Sequence, residues 1–219
     1  MQPIKTLIFD MDGVIFDTES LVRKCWNTHA KTYGLCDIDT VFLSCLGTTR
    51  TRTHEIFIEH YGTNFPYETF RADASKTFHA FIEANGVPIK PGVRELLTWA
   101  KEHDFHIGLA SSTRQIIVEQ ELKQANLYCY FDHVLGGDQL TRSKPFPDIY
   151  LMACHKLNVE PYCAYAIEDS YNGIRSASAA GMHPVMVPDL LPPTQEMQTL
   201  CDAIYPNLSD FQTFLSKQI

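Results

Sequence analysis

The sequence lacks three features that would point to a membrane, to a disulfide framework or to nucleic acid. No apolar run in its 219 residues approaches the ~18 residues of a membrane span. The seven cysteines are scattered and form no CxxC pair, which favours reduced thiols in a cytoplasmic protein. The formal net charge of −8 opposes nucleic-acid binding, since nucleic-acid binders usually present a basic face. We therefore expect a cytoplasmic protein without membrane or nucleic-acid partners.

The composition is that of a folded chain with a sizeable apolar core. Hydrophobic residues make up 45% of the sequence, and glycine and proline are unremarkable at 11 and 12 residues. A chain of this length fits one large domain, or one domain with a smaller insertion. Nothing in the pattern requires more than a monomer, which is therefore the expected state.

The stretch from Lys5 to Thr18, KTLIFDMDGVIFDT, places two carboxylates just after a predicted buried strand. Thr6 to Phe9 form the apolar run typical of a strand in a parallel sheet. Because residues i and i+2 of an extended chain point the same way, Asp10 and Asp12 can face one spot, where Gly13 allows a sharp turn. Carboxylates that close repel each other and favour a cation between them. The same pattern is also ordinary turn chemistry, so these residues alone leave both interpretations open.

Apolar periodicity divides the rest of the chain into a helical block and an alternating block. From residue 18 to 85 the pattern is helical, which predicts an inserted all-helical domain with its own small core. Strands and helices then alternate, as they do in a doubly wound parallel sheet. The sequence therefore predicts an α/β fold in which 1–17 and 86–219 form the parallel-sheet core and 18–85 form a helical domain.

Polar residues follow the predicted strands at the edge of the sheet where ligands bind in such folds. Asp10 follows the first strand and Ser111 the second. The Glu168-Asp169 pair ends the fourth, and Lys144 lies in the long loop after the third. Each also has a simpler explanation: a helix cap for Ser111, a solvated charge for Lys144 and a favourable helix start for the acidic pair. Their coincidence at one edge favours a site with one hydroxyl, one lysine and four carboxylates.

With these residues in place, the chain resembles the haloacid dehalogenase-like hydrolase superfamily, and more narrowly its β-phosphoglucomutase-like phosphatases. Four motifs carry the resemblance: DMDGV at Asp10 to Val14, Ser111 after LA, Lys144 in SKPFPD, and IEDSYNGI from Ile167 to Ile174. Together these motifs are highly specific, and the resemblance covers essentially the whole length of the chain. The resemblance implies a Rossmann-like core with a helical cap inserted after the first motif, in agreement with the predicted division of the chain.

The resemblance implies a phosphoryl transfer in two steps. Asp10 would attack phosphorus to form an aspartyl-phosphate. Asp12 would protonate the leaving oxygen and later activate water, a role that contributes roughly 10²–10⁴-fold. Ser111 and Lys144 would hold the phosphoryl oxygens. Dehalogenases of the superfamily lack an acid at the position of Asp12, so phosphoryl transfer is favoured over cleavage of a carbon–halogen bond.

The resemblance also implies a Mg²⁺ site among the acids. The expected ligands are Asp10, the backbone carbonyl of Asp12 and Asp169. Glu168 is expected either to bind the metal as a further ligand or to contact the residues around the metal without binding it. An all-oxygen acidic site suits this hard cation, and the cation would relieve the repulsion among the carboxylates and shield the incoming phosphate.

The helical domain is expected to act as a lid that closes over the substrate and supplies specificity. Its loop Gly47-Thr48-Thr49-Arg50 resembles the signature of family cap loops, and there Arg50 could reach a phosphate or hydroxyl of the substrate. The other interpretation of Arg50 is a solvated charge between helices. The full set of expected substrate-binding residues is Ser111, Ser112, Lys144, Arg50 and Thr18.

Three functions compete for this chain. The leading prediction is a Mg²⁺-dependent phosphatase of a small phosphorylated metabolite such as a sugar phosphate. The second is a β-phosphoglucomutase-type isomerase, which usually carries a His on the first cap helix, near the position where this chain has Val22. The third is an inactive member of the same fold used for binding, and the intact motifs oppose it.

Overall fold

The computed structural model describes residues 4–46, 48 and 50–218, and in them a single parallel sheet is formed by six strands. The strands are β1 (Thr6–Phe9), β2 (His106–Ala110), β3 (His133–Leu135), β4 (Tyr165–Glu168), β5 (His183–Met186) and β6 (Ala203–Ile204). Their order across the sheet is β3-β2-β1-β4-β5-β6. The predicted doubly wound α/β fold is therefore confirmed.

Strand β1 lies in the middle of the sheet, since it pairs with β2 on one side and with β4 on the other. Leu7 is in register with both Ile107 and Tyr165. All four residues of β1 are buried, as expected for a strand covered on both faces. The chain order of the strands reverses between β1 and β4. In open parallel sheets a ligand binds at such a switch point, beyond the carboxyl ends of the strands.

Ten α-helices occur in the described part of the chain. They are α1 (Thr18–Ala30), α2 (Ile38–Cys45), α3 (Arg50–Tyr61), α4 (Tyr67–Asn85), α5 (Val93–Glu102), α6 (Gln115–Gln124), α7 (Asp148–Leu157), α8 (Tyr171–Ala179), α9 (Gln195–Leu200) and α10 (Leu208–Leu215). The longest is α4, with 19 residues. No helix among the described residues pairs the length with the apolar character needed to traverse a bilayer.

Two compact units can be distinguished, one formed by 1–17 with 89–219 and the other by 18–88. The second boundary falls after 88, whereas the sequence placed it after 85. In the first unit, α7 and α8 contribute to a buried cluster with the strands, in which Ile8, Ala110 and Tyr150 are members. Cys154 belongs to the same cluster as a free thiol and so acts as a small apolar side chain.

The second unit has an aromatic core of its own. Helix α1 packs against α4 and α2, and α3 packs against α2 and α4. The indole of Trp26 on α1 has its ring centroid 5.2 Å from Phe42, 5.1 Å from Phe57 and 5.8 Å from Phe70, all in edge-on geometry. Edge-on packing suits the charge distribution of aromatic rings and adds to the apolar burial. Helix α2 was not predicted, because its eight residues span little more than two turns.

The two connections to the inserted segment leave the first unit side by side. Phe16 forms isolated bridges with Asp12 and, in antiparallel fashion, with Ile89. The backbone N–H of Lys90 donates to the carbonyl of Ile15 at 2.9 Å. The entry to the insertion and the return from it are therefore held by backbone pairing.

Candidate active site

Three neighbouring strands end at one place, and each delivers a polar residue there. Asp10 follows the last residue of β1, Ser111 follows the last residue of β2, and Glu168 is the last residue of β4. All three are buried. Lys144 reaches the same place from the loop between β3 and α7. The structure thus brings together the residues that the sequence placed at the strand ends.

The ammonium group of Lys144 joins two carboxylates. Its Nζ donates to Asp10 Oδ1 at 2.5 Å and to Glu168 Oε1 at 2.6 Å. It also donates to the carbonyl of Ala110 at 2.9 Å, so that all three N–H bonds of the ammonium are used. The side chains of Lys144 and Glu168 are only 6% and 0% exposed. The interpretation of Lys144 as a solvated loop charge is therefore wrong.

Both oxygens of Glu168 are held by protein donors. Besides Lys144, Oε1 accepts from the phenol of Tyr150 at 2.6 Å, and Oε2 accepts from the hydroxyl of Ser170 at 3.1 Å. Ser170 is the N-cap of α8, where its Oγ accepts from the backbone N–H of Gly173 at 3.0 Å. A side chain at Gly173 would overlap the Glu168 carboxylate. Glycine therefore lets the positive end of α8 rest directly against this carboxylate.

Asp10, Glu168 and Asp169 form a cluster of three buried carboxylates. One oxygen of each lies within 4.8 Å of the others. Gly13, with a φ of +84°, lies against Asp169 so closely that a Cβ there would overlap the carboxylate. Lys144 forms ion pairs with two of these carboxylates, those of Asp10 and Glu168. Three hard oxygen donors this close together could hold a metal ion.

The carboxylate of Asp12 is held from the loop before α6. The hydroxyl of Thr113 donates to Asp12 Oδ2 at 3.0 Å, and the backbone N–H of Thr113 donates to Ser111 Oγ at 3.0 Å. Helix α6 receives no cap from Ser111. Its first backbone N–H, that of Gln115, donates to Asp138 at 2.8 Å. The interpretation of Ser111 as a helix cap is therefore wrong, because the acceptor comes from another loop.

Burial and neighbouring charges set the protonation of this cluster. The pKa of Asp10 is raised to about 8, chiefly because burial disfavours the carboxylate. The ammonium of Lys144 opposes this rise, and the charges of Glu168 and Asp12 add to it. Burial alone would lower the pKa of Lys144, but the carboxylates of Asp10 and Glu168 outweigh it and raise that pKa. The carboxylates therefore favour the charged form of Lys144, while burial opposes the ionised form of Asp10.

The remaining predicted residues are distributed over both units. Ser112 is exposed in the loop before α6. Thr18 is the buried first residue of α1, and Arg50 is the exposed first residue of α3, where its guanidinium contacts Glu68 Oε2 at 3.1 Å. In the predicted cap loop, Gly47 and Thr49 lie outside the described residues. The substrate contacts expected of Ser112, Thr18 and Arg50 stay predictions.

The structure also holds the site with two side chains that the sequence analysis did not single out as site residues, Tyr150 and Thr113. Tyr150 falls on the buried face of α7. A phenol on such a face needs a hydrogen-bond partner, which is a signal that the sequence offers. Thr113 offers no comparable signal, because a threonine between a strand and a helix is ordinary loop composition.

A further buried ion pair lies beside the cluster. Lys90 Nζ contacts the carboxylate of Asp189, in the loop after β5, and both side chains are largely withdrawn from solvent. One carboxylate oxygen of Asp189 lies within 4.8 Å of one of Asp169. Since Lys90 follows Ile89, the pair ties the returning connection of the insertion to the edge of the sheet that carries Asp169.

Comparison with known proteins places this chain and its fold in one family. The family model of the haloacid dehalogenase-like hydrolases matches residues 7–187. A phosphorylated carbohydrates phosphatase of Thermotoga maritima is 32% identical over 183 residues, which cover 82% of each chain. A fructose-1-phosphate phosphatase of Escherichia coli is 30% identical over 181 residues, which cover 83% of this chain and 95% of the relative.

A solved structure agrees with the sequence comparison. The structure of a Thermotoga maritima protein assigned as a β-phosphoglucomutase superposes with a TM-score of 0.80 at 28% identity and covers 100% of both chains. The predicted family resemblance and the predicted enzyme class are confirmed by these relatives. The chain therefore belongs to the haloacid dehalogenase-like hydrolase family, as one of its phosphatases, which are phosphoric monoester hydrolases.

Proposed function

We propose that the chain is a Mg²⁺-dependent phosphatase that hydrolyses a small sugar phosphate through an aspartyl-phosphate on Asp10. One observation carries the proposal. The Lys144 ammonium bonds both Asp10 and Glu168 at the carboxyl ends of β1 and β4, and Asp169 completes a set of three buried carboxylates. A buried charge cluster at a topological switch point is costly to fold and is retained where it serves a reaction.

The metal would be held by Asp10, Asp169 and the backbone carbonyl of Asp12. Both oxygens of Glu168 accept hydrogen bonds, from Lys144, Tyr150 and Ser170. We therefore propose that Glu168 supports the site without binding the metal directly. When bound, Mg²⁺ supplies the positive charge that keeps Asp10 ionised and that offsets the charge of the phosphate.

In the first step Asp10 attacks phosphorus. The bond between its carboxylate oxygen and phosphorus forms while the bond from phosphorus to the sugar oxygen breaks. Asp12 gives its proton to that leaving oxygen, and the Thr113 hydroxyl fixes the carboxyl group for this transfer. Lys144 would hold a phosphoryl oxygen with the N–H that it gives to Asp10 in the free chain, since Asp10 loses its charge when it bonds phosphorus. The Ser111 hydroxyl would hold another phosphoryl oxygen; among the described residues no acceptor takes its proton, so it can serve as a donor.

In the second step a water molecule attacks the aspartyl-phosphate. Asp12, now ionised, takes a proton from the water as its oxygen bonds to phosphorus. The bond between phosphorus and Asp10 breaks, which returns the Asp10 carboxylate and releases inorganic phosphate. The proton that Asp12 takes from the water replaces the one that it gave to the leaving oxygen.

Specificity would come from the second unit, which we propose as the cap. Thr18 and Arg50 are its candidate substrate contacts, and Ser112 is the candidate in the core. The relatives named for phosphorylated carbohydrates and for fructose 1-phosphate support a sugar phosphate as substrate. We further propose that the enzyme works as a cytoplasmic monomer, without nucleic-acid or membrane partners.

The direct test is phosphate release from a panel of sugar phosphates, with an aryl phosphate as the reference substrate. The purified chain is assayed with Mg²⁺ and with a chelator. We expect release with Mg²⁺, loss of release with the chelator, and a kcat/KM for one sugar phosphate at least about tenfold above that of the aryl ester, since binding energy from the sugar lowers the barrier. Absence of release from every ester would contradict the phosphatase.

The aspartyl-phosphate is tested separately with Asp12→Asn. This variant keeps a group that the Thr113 hydroxyl can reach but cannot activate water, so hydrolysis of the intermediate slows more than its formation from an activated ester. We expect phosphoenzyme to accumulate in intact-protein mass spectra, and Asp10→Asn to show none. Equal amounts in both variants would argue against Asp10 as the acceptor.

A second candidate function is a phosphosugar mutase, favoured by the structural similarity to the protein assigned as a β-phosphoglucomutase. Val22 stands near the position where a His is usual in such enzymes. Conversion of β-glucose 1-phosphate to glucose 6-phosphate with a bisphosphate primer would show that the chain is a mutase and overturn its assignment as a phosphatase. A chain that neither turns over phosphate esters nor binds metal would instead be a binding protein of this fold.

A further inference from the structure

Tyr150 touches both members of the Lys144–Glu168 ion pair. Its hydroxyl donates to Glu168 Oε1 at 2.6 Å, and its ring centroid lies 5.0 Å from Lys144 Nζ. The side chain is fully buried on α7 and is one of the largest of the fully buried side chains. The phenol therefore stabilises the carboxylate, and the electron-rich ring face stabilises the ammonium.

The oxygen that Tyr150 contacts is the same oxygen that Lys144 contacts. Glu168 Oε1 accepts from both donors at 2.6 Å, while Lys144 is shared between Glu168 and Asp10. Two donors on one oxygen compete for the same electron density, so the oxygen binds each of them less tightly than it would bind one alone. Without the phenol, Glu168 would draw the ammonium toward itself, away from Asp10.

We propose that Tyr150 is a positioning residue of this site: through Glu168 and the ring face, it sets where the Lys144 ammonium stands between Glu168 and Asp10. The inference rests on the proposed function for its effect on rate, because Lys144 is the residue proposed to hold the phosphoryl group next to Asp10. The competing explanation is that Tyr150 is only a large core side chain, and that its hydroxyl bonds Glu168 because a buried hydroxyl needs a partner.

The Tyr150→Phe variant separates the two explanations, because it keeps the ring and removes the hydroxyl. We expect kcat to fall about tenfold at temperatures well below the midpoint of unfolding, since a displaced supporting group costs an active site about this much. We also expect the ¹⁵N resonance of the Lys144 ammonium, assigned by its loss in Lys144→Met, to shift. Because the variant keeps the aromatic ring, the effect of the ring on that resonance stays the same, and the shift reports the loss of the hydroxyl.

Tyr33→Phe is the matched control. Tyr33 lies in the second unit, and its hydroxyl donates to Asp73 Oδ2 at 2.5 Å, so the variant loses the same kind of tyrosine–carboxylate bond. We expect a lower midpoint of unfolding, with kcat and the Lys144 resonance unchanged. If Tyr150→Phe behaves like this control, Tyr150 is a core residue and the proposal is overturned.

A second variant keeps the test decisive if Tyr150→Phe does not fold. Site-specific 3-fluorotyrosine at position 150 makes the phenol a stronger donor and preserves its size. We expect the Lys144 resonance to move, and in folded Tyr150→Phe to move in the opposite direction. An unmoved resonance overturns the proposal. A wild-type chain that releases no phosphate contradicts the proposed function instead, and the resonance still reports on Tyr150.

Discussion

Ion pairs of the same chemical kind have different surroundings in the two units. In the first unit, Lys144 contacts Glu168 at 2.6 Å with both side chains almost withdrawn from water. In the second unit, Arg52 contacts Glu59 at 2.8 Å while 47% and 61% of these side chains are exposed. The exposed pair is screened by solvent, whereas the buried pair depends on having every partner in place.

The difference shows what each unit uses for its stability. The second unit has the aromatic cluster around Trp26, so its ion pairs can be lost with little effect. The first unit buries three carboxylates close together. Apolar residues of the same volume could be buried there at a lower cost in folding free energy. Charge of this kind is explained better by the proposed reaction than by the fold.

The largest effect in this comparison is expected from Asp10→Asn. Without a nucleophile, phosphate release should fall by about 10⁴-fold or more. The free energy of unfolding should stay equal or rise, because the raised pKa of Asp10 shows that its ionised form is disfavoured by burial. Phosphate release and urea unfolding measure the two effects, and an active variant would refute the assignment of Asp10.

Lys144→Met tests the cost of a buried charge without its partner. The substitution leaves Asp10 and Glu168 facing each other without the ammonium, so the free energy of unfolding should fall by about 3–5 kcal/mol. Urea unfolding with a chelator present measures it. A loss below about 1 kcal/mol, as expected for an exposed pair, would show that water reaches this cluster.

Glu121→Gln is expected to have a smaller effect that depends on pH. Glu121 is partly buried on α6, and its pKa is raised from 4.5 to about 7 by burial and then by the charge of Asp12. Below pH 4.5 the folded and unfolded chains both carry the proton, so Glu121 does not affect stability. Between pH 4.5 and 7 only the unfolded chain ionises, and the wild type loses stability as pH rises.

The variant should therefore gain stability over the wild type across this window and keep the gain above pH 7. We expect about 1–2 kcal/mol at pH 8, which is below the full value of the pKa shift because the group is partly solvated. Urea unfolding at pH 4.5 and at pH 8 measures it. Glu119→Gln is the control on the same helix: Gln115 and Lys123 lower the pKa of Glu119, so this variant should show no gain at pH 8.

The smallest effect is expected from Arg52→Met. The guanidinium contacts Glu55 and Glu59 on the surface of α3, and exposed pairs contribute little. The free energy of unfolding should stay close to that of the wild type, as urea unfolding can measure. A loss as large as that of Lys144→Met would remove the distinction between the two units.

The sequence was sufficient to predict the sheet and the meeting of its strand ends. Periodicity shows which residues are buried, and the alternation of strands and helices indicates a parallel sheet, although it does not give the order of the strands. It does not show which buried polar groups pair with each other, because the partners are distant in the chain. Lys144 and Asp10 are 134 positions apart, and only the folded chain shows that one ammonium contacts both Asp10 and Glu168.

Helix α2 shows a second limit of sequence patterns. Asp37 stands at the N-cap position before it, which is typical of a helix start. Its side chain makes no capping bond and is instead contacted by His60 at 2.5 Å and by Tyr61 at 3.0 Å. Asp37 thus connects the start of α2 to α3 through its side chain, a role that a local sequence pattern does not reveal.

The paired backbone at Phe16 and Ile89 has a consequence for how this protein can change over evolutionary time. The backbone of the first unit holds the two ends of the inserted segment next to each other. Segments of other lengths and sequences can then replace the insertion between these two ends without a shift in strand register. Selectivity for new substrates can thereby diversify while the chemistry at the strand ends is left untouched.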